Sequence, residues 1–135
     1  MEPSQKIILK DSGVANAGRG VFATITIAEG ELIESCPVIE LTSRWDRRLL
    51  KLTELRNYYF LWGEPQTQVA VALGYGSLYN HSYSPNAKYK KLDEEKCINF
   101  YAIRDIAPGD EILVNYNGTP TDKTPLWIKE IPLAE

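Results

Sequence analysis

The residues best suited to chemistry gather in two polar stretches, Tyr79-Asn80-His81-Ser82-Tyr83-Ser84-Pro85-Asn86 and Glu111-Ile112-Leu113-Val114-Asn115-Tyr116, with Gly18-Arg19-Gly20-Val21-Phe22 upstream. His81 is the sole histidine, so a two-imidazole metal site is excluded by counting. Cys36 and Cys97 are too few and too far apart for a zinc framework, and no metal site is expected. Ser82 sits outside any Gly-x-Ser-x-Gly elbow, and being beside His81 in sequence does not make it face His81. A lone histidine among Tyr, Ser and Asn is more often a hydrogen-bonded structural residue than a base. Gly18 and Gly20 are followed by Ala23, so the third glycine of a phosphate cradle is missing. Such a pair suits close backbone approach to a ligand needing amide and carbonyl contacts, or equally a plain turn between strands. Six of the eight tyrosines, Tyr75, Tyr79, Tyr83, Tyr89, Tyr101 and Tyr116, share the segment that holds Asn80 and His81. Their rings join an apolar face to a polar tip, so several together can enclose an alkyl amine and hydrogen-bond its nitrogen. The ordinary alternative is a set of sheet residues with exposed hydroxyls.

The elements that must position these residues are mostly strands. Runs rich in β-branched and aromatic residues, bounded by Gly, Pro, Asn or Asp, occur at 6–9, 20–24, 31–41, 69–73, 87–92, 97–103 and 111–116, which predicts a mostly β domain. One helix is expected at 43–52, capped by Ser43 with Asp46; Trp45, Leu49 and Leu52 recur at helical spacing, and Arg47, Arg48 and Lys51 would face water. Ile27-Ala28-Glu29-Gly30-Glu31 and Ile106-Ala107-Pro108-Gly109-Asp110 read as two turns of one recipe, each launching a strand. In the tail, Thr124 and Pro125 mark the start of a short helix that would bring Leu126 and Trp127 onto the domain.

Composition narrows the class. A chain of 135 residues suits one domain that buries about two-thirds of its unfolded surface. A net charge of -3 supplies no field for gripping a phosphate backbone, despite a small cluster of Lys88, Lys90 and Lys91, so direct nucleic-acid binding is not expected. No apolar run reaches the ~20 residues that span a bilayer, and Met-Glu-Pro-Ser-Gln-Lys reads as neither leader nor transit segment, so a membrane is not expected. Two cysteines without a secretory pattern predict a reduced, cytoplasmic setting with buried thiols.

In order and spacing, Gly18-Arg19-Gly20-Val21-Phe22, Asn80-His81-Ser82 with Pro85-Asn86, and Glu111 through Tyr116 resemble the SET-domain protein lysine methyltransferases. The resemblance covers residues 6–118. It implies a β-clip-like fold of several small sheets with short helices and a threaded pseudoknot, an exception to the rule that chains do not thread loops. It divides the chain into a SET domain at 1–118, with a variable insert at about 43–68, and a tail at 119–135 that docks on the domain. It implies S-adenosylmethionine held by the backbone around Gly18, Arg19 and Gly20 with Asn80 and His81, a catalytic Tyr116, and a lysine-containing protein substrate entering from the opposite face. Tyr89, Tyr101 and Val114 are its expected channel residues. Val114 stands two before the tyrosine, where many members carry a Phe or Tyr that influences methyl count; Tyr89 is a candidate to supply that hydroxyl instead.

Two departures from the family pattern concern the site. Tyr83 replaces the usual Cys after Asn-His-Ser, and Asn115 replaces the Asp before the catalytic tyrosine. The chain also lacks the cysteines of the zinc module that follows the domain in many eukaryotic relatives, which leaves the tail around Trp127 as the expected closure of the cofactor or lysine site. Segment 53–68, with Tyr58, Tyr59, Phe60 and Trp62, is expected in the substrate groove or in core packing. The competing reading is a non-catalytic SET-like module that binds a lysine-containing partner; a sugar-binding β domain has only the aromatic content behind it.

Overall fold

A computed structural model describes residues 6–14, 17–63 and 67–126. Its strands are β1 (Ile7–Asp11), β2 (Arg19–Ala23), β3 (Leu32–Leu41), β4 (Tyr59–Trp62), β5 (Gln68–Ala72), β6 (Asn80–His81), β7 (Ala87–Leu92), β8 (Cys97–Ala102) and β9 (Leu113–Val114). β1 and β2 form an antiparallel pair, and a five-stranded sheet runs in the order β4-β5-β3-β8-β7. β6 and β9 make a two-stranded parallel pair, matching Asn80 with Leu113 and His81 with Val114. The SET-type arrangement of several small sheets is thus present. Strands β4 and β6 were not among the expected runs, and the expected strand at 111–116 shortens to two residues.

β8 shows the period-two alternation that a half-buried strand demands: Ile98, Phe100 and Ala102 are buried, while Cys97, Asn99 and Tyr101 are only partly so. The buried set joins Val21, Ile27, Ile33, Cys36, Ala70, Tyr79, Ile106, Ile112 and Val114 in one core. Trp62 completes it from β4, its indole N–H donating to Glu40 Oε2 at 2.7 Å, which satisfies the one polar atom of the ring. Cys36 is buried and Cys97 partly buried, both as free thiols. They lie one register apart on β3 and β8, Cys36 opposite Ile98 and Cys97 opposite Pro37, so their side chains leave opposite faces of the sheet.

The two look-alike turns pack against each other. Ile27 and Ile106 exchange both backbone hydrogen bonds, at 2.9 and 2.8 Å. In each turn the fourth residue's N–H returns to the first carbonyl (Glu31 to Ala28, 2.9 Å; Asp110 to Ala107, 3.1 Å), while its carboxylate accepts from the first residue's N–H (3.1 and 3.3 Å). Gly30 and Gly109 take positive φ of 84° and 89°, the conformation glycine adopts without steric cost.

Helix α1 (Arg44–Leu50) carries the expected capping box between Ser43 and Asp46. Its buried face differs from expectation. Trp45, Leu49 and Leu52 are 57, 59 and 81% exposed, Leu50 is buried instead, and Arg47 turns inward to reach the Thr67 carbonyl at 3.4 Å. A two-turn helix presents only a narrow stripe, and where α1 meets β5 Leu50 is the residue it buries. Trp45 stays at the surface between the guanidinium groups of Arg44 and Arg48, 5.6 and 5.4 Å from its ring, an arrangement that offsets part of its exposure. Residues 122–126 are not helical, so the tail helix expected to start at Thr124 does not begin there. Trp127, with the rest of that element, lies outside the described residues.

Candidate active site

The two polar stretches meet through the β6–β9 pair. Asn86, 7% exposed, fastens them: its Nδ2 donates to the Glu111 carbonyl at 2.9 Å, its Oδ1 accepts from Leu113 N–H at 2.8 Å, and its own N–H donates to the Leu113 carbonyl at 3.2 Å. Ser82 N–H adds a bond to the Val114 carbonyl at 2.9 Å. One side chain therefore satisfies backbone groups of a segment 25 residues or more away, where regular pairing is too short to do so.

Tyr116 is placed by this junction. Its N–H donates to His81 Nδ1 at 3.0 Å, so His81 accepts at Nδ1 and serves as a backbone anchor. The His81 ring lies edge-on to Tyr83 and tilted against Tyr116, with centroids 4.4 and 5.3 Å apart. Although Tyr116 is 37% exposed overall, its hydroxyl points inward and donates to the Tyr79 carbonyl at 2.6 Å. Burial of that hydroxyl, reinforced by the neighbouring Tyr58, Tyr89 and Glu111, raises its pKa well above the ordinary tyrosine value. Tyr116 is thus a neutral phenol at physiological pH, with oxygen lone pairs still available as acceptors.

Below Tyr116 lies an aromatic cluster. Tyr79 stacks on Phe100 with centroids 4.2 Å apart, and Tyr89 meets Phe60 edge-on at 5.2 Å. Tyr79, Tyr89 and Phe60 face a cavity of about 790 Å³, together with Tyr58, Val114 and Tyr116. Tyr89 Oη donates to the Tyr116 carbonyl at 3.2 Å, and burial pushes its pKa up to about 12. Tyr101, expected as a channel wall, is not among the lining residues; the alternation of β8 puts it on the face opposite Phe100, where it accepts from Asn99 Nδ2 at 3.1 Å. Within segment 53–68, Tyr58, Tyr59 and Phe60 line the cavity and Trp62 lies in the core.

On the other side of the junction sits the glycine turn. Asn80 Nδ2 donates to the Arg19 carbonyl at 3.0 Å and to Glu111 Oε2 at 2.8 Å, and Ser12 Oγ hydrogen-bonds both Glu111 carboxylate oxygens at 2.7 and 2.8 Å. A Cβ on Gly20 would collide with the Glu111 and Asn80 side chains. Gly18 has φ of +72° and open space where a side chain would stand. At Gly18 the backbone edge is thus open to close approach by a ligand, while at Gly20 the missing side chain makes room for Asn80 and Glu111. Asn80 holds that edge in place, a more specific role than its sequence position indicated. Ser12, 99 residues from Glu111, carried no sequence signal at all.

The segment after Tyr116 folds back over the cavity. Asn115 is buried; its Nδ2 donates to the Asp122 carbonyl at 2.6 Å and more weakly to that of Pro120 at 3.4 Å, while Oδ1 accepts from Asn117 N–H at 3.0 Å. An ionised Asp there could not donate, so the amide is what this turn needs. Tyr83 Oη donates to the Thr124 carbonyl at 3.1 Å, and Lys123 Nζ to the Tyr83 carbonyl at 2.6 Å. Tyr83, which stands in place of the family's Cys, therefore fastens the strap that brings Pro125 and buried Leu126 to the cavity.

The family model for the SET domain matches residues 18–117. A histone-lysine N-methyltransferase specific for lysine 37 of H3 from Schizosaccharomyces pombe is 33% identical over 99 residues, covering 73% of this chain and 66% of that protein. The chain thus spans just under two-thirds of that relative. A crystal structure of a Plasmodium falciparum protein assigned as a histone methyltransferase is 32% identical with a TM-score of 0.65, covering 84% of this chain and 94% of that one. The structure of ctPRC2 in an autoinhibited conformation bound to S-adenosylmethionine is 27% identical with a TM-score of 0.67, covering 94% of this chain and 16% of that one. The chain belongs to the SET domain family.

Proposed function

We propose that this chain is an S-adenosylmethionine-dependent protein-lysine N-methyltransferase. The observation that carries the reading is the Tyr116 hydroxyl, neutral, inward and held at 2.6 Å from the Tyr79 carbonyl at an aromatic-walled cavity. The backbone edge at Gly18, Arg19 and Gly20, with Asn80 and His81 behind it, fits the cofactor, which when bound supplies a methyl group on a sulfonium. Trp127 is proposed to cover that cofactor or the lysine.

The chain's own residues prepare the acceptor. A lysine ammonium, with an ordinary pKa of about 10.4, has no free lone pair at neutral pH. Phe60, Tyr79 and Tyr89 exclude water from its alkyl stem and disfavour the charged form. Tyr116, with its proton committed to the Tyr79 carbonyl, accepts an amine N–H and so turns the nitrogen lone pair toward the glycine edge. His81 fixes the Tyr116 backbone during this alignment. The released proton leaves to solvent, since neither Tyr116 nor Tyr89 gains from ionising in its buried setting.

The direct test is Tyr116→Phe in the full chain. Turnover on a lysine peptide should fall about 10²–10³-fold, while calorimetric affinity for S-adenosylhomocysteine stays within about threefold. Equal losses in both would mark Tyr116 as a structural residue.

A further inference from the structure

The cavity beside Tyr116 has a one-sided charge. Arg47, Arg56, Lys90 and Lys91 line it, although the alternation of β7 turns the Lys90 side chain away from the face that carries Tyr89 and Lys91, and no Asp or Glu lines it among the described residues, while the chain as a whole carries a net charge of -3. None of these four makes an ion pair among the described residues, where the pairs are Lys6 with Glu31 and Lys96 with Glu40. The Arg47 Nε is shielded from solvent without a hydrogen-bond partner among the described residues. Asp93 is the carboxylate acting on Lys91, and its pull is outweighed by burial, which lowers the Lys91 pKa. The cations come from three separate elements, α1, the 3₁₀ turn Glu54–Asn57 and β7, so the charge belongs to the concavity rather than to one solvated helix face.

A concavity lined by cations and, among the described residues, by no carboxylate disfavours a basic ligand and favours an anionic one. Resting on the methyltransferase reading above, we infer that the lysine this site accepts lies in an acidic sequence context, with Asp or Glu flanking the target within reach of Arg47, Arg56 and Lys91. A strongly basic tail would place like charge against those groups. A peptide is favoured over nucleic acid because the aromatic groups beside the cations lie around the Tyr116 hydroxyl, and the chain's overall charge opposes a polyphosphate.

The test uses the full chain and two fluorescent peptides of equal length, each with one central lysine, flanked by Asp and Glu in one and by Arg in the other. Anisotropy with saturating S-adenosylhomocysteine reads binding without turnover, and methyl transfer from labelled S-adenosylmethionine is measured separately. The acidic peptide should bind about tenfold more tightly at low salt, as expected for a few partly exposed charge pairs, and the preference should shrink in 0.5 M salt. Arg56→Glu with Lys91→Glu should reverse it; Arg56→Gln, the milder change, should narrow it by about threefold if the double variant fails to fold. Equal or reversed affinities in the native chain, a preference untouched in a folded charge variant, or displacement of the acidic peptide by an equimolar oligonucleotide would each overturn the inference. Absence of methyl transfer to either peptide would count against the catalytic reading instead, because the binding comparison decides the charge question independently.

Discussion

Replacing Asn86 by Ala should unfasten the junction on which both halves of the site depend. The substitution removes two side-chain hydrogen bonds, 2.9 Å to the Glu111 carbonyl and 2.8 Å from Leu113 N–H. Both backbone groups, on the partly buried residues Glu111 and Leu113, then lose these partners. An orphaned buried polar group costs about 1–3 kcal/mol, so the pair is worth about 2–6 kcal/mol. Against a typical domain stability of about 5–15 kcal/mol, that is a large share, equivalent to a melting-point drop of about 8–20 °C for a chain of this size. Urea unfolding followed by circular dichroism and tryptophan fluorescence measures it. Asn86→Asp sharpens the reasoning, because the carboxylate still accepts from Leu113 N–H but sets a second oxygen against the Glu111 carbonyl. That repulsion and burial would raise the folded-state pKa of the new acid above its unfolded value near 4. The acid form, which can donate to Glu111, stabilises fully below the unfolded pKa, and this stability is lost as pH rises through the folded pKa. Asn86→Asp should therefore gain on Asn86→Ala in acid. A cost below about 1 kcal/mol for Asn86→Ala, or a pH-independent difference between the variants, would refute the assignment of Asn86 as the fastener.

Three other expectations follow from the same geometry. Gly20→Ala should reduce cofactor affinity about tenfold in a calorimetric titration, because the new methyl must displace Asn80 and Glu111 and give up one or two hydrogen bonds of about 1 kcal/mol each; unchanged affinity would mean that the glycine turn does not face the cofactor. Burial raises the pKa of Tyr79 and of Tyr89, the latter to about 12. Between about pH 10 and the folded values the unfolded chain releases protons that the folded chain keeps, so stability should fall by up to about 1.4 kcal/mol per pH unit for each ring; a flat urea midpoint from pH 9 to 11 would contradict this. Burial, with the Glu34 charge beside it, also raises the pKa of the Cys36 thiol, so a disulfide reagent should modify Cys97 alone in the native chain and both thiols in denaturant. Two thiols reacting at one rate would show that the β3–β8 sheet opens readily.

Local rules made part of this protein legible. Short runs bounded by Gly, Pro, Asn or Asp, most of them rich in β-branched and aromatic residues, marked β7 to the residue and most of β1, β2, β3, β5 and β8. Ser43 and Asp46 announced the start of α1, and the paired Ile-Ala turns announced themselves through Gly30 and Gly109. The spacing of Asn80, His81, Asn86 and Tyr116 was enough to identify the family. Each of these signals is carried by residues adjacent or nearly adjacent in the chain.

What tertiary structure alone decided were choices between partners distant in sequence. Nothing local distinguishes Tyr101 from Tyr89; the pairing of β8 with β3 and β7 turned the first away from the cavity and left the second beside it. Trp45, Leu49 and Leu52 had helical spacing, yet Leu50 is the residue buried, since a two-turn helix buries only the stripe its neighbour can reach. Strand β6 has two residues and exists only because β9 passes alongside. Ser12 meets Glu111, Tyr83 meets Thr124, and Tyr116 meets the Tyr79 carbonyl across gaps of 99, 41 and 37 residues. The sequence by itself determined which side chains were available for the proposed chemistry and which local elements would carry them; pairing of the 111–116 segment alongside Asn80 and His81 decided which of them face one another, because such contacts depend on the register of chains brought together only by the completed core.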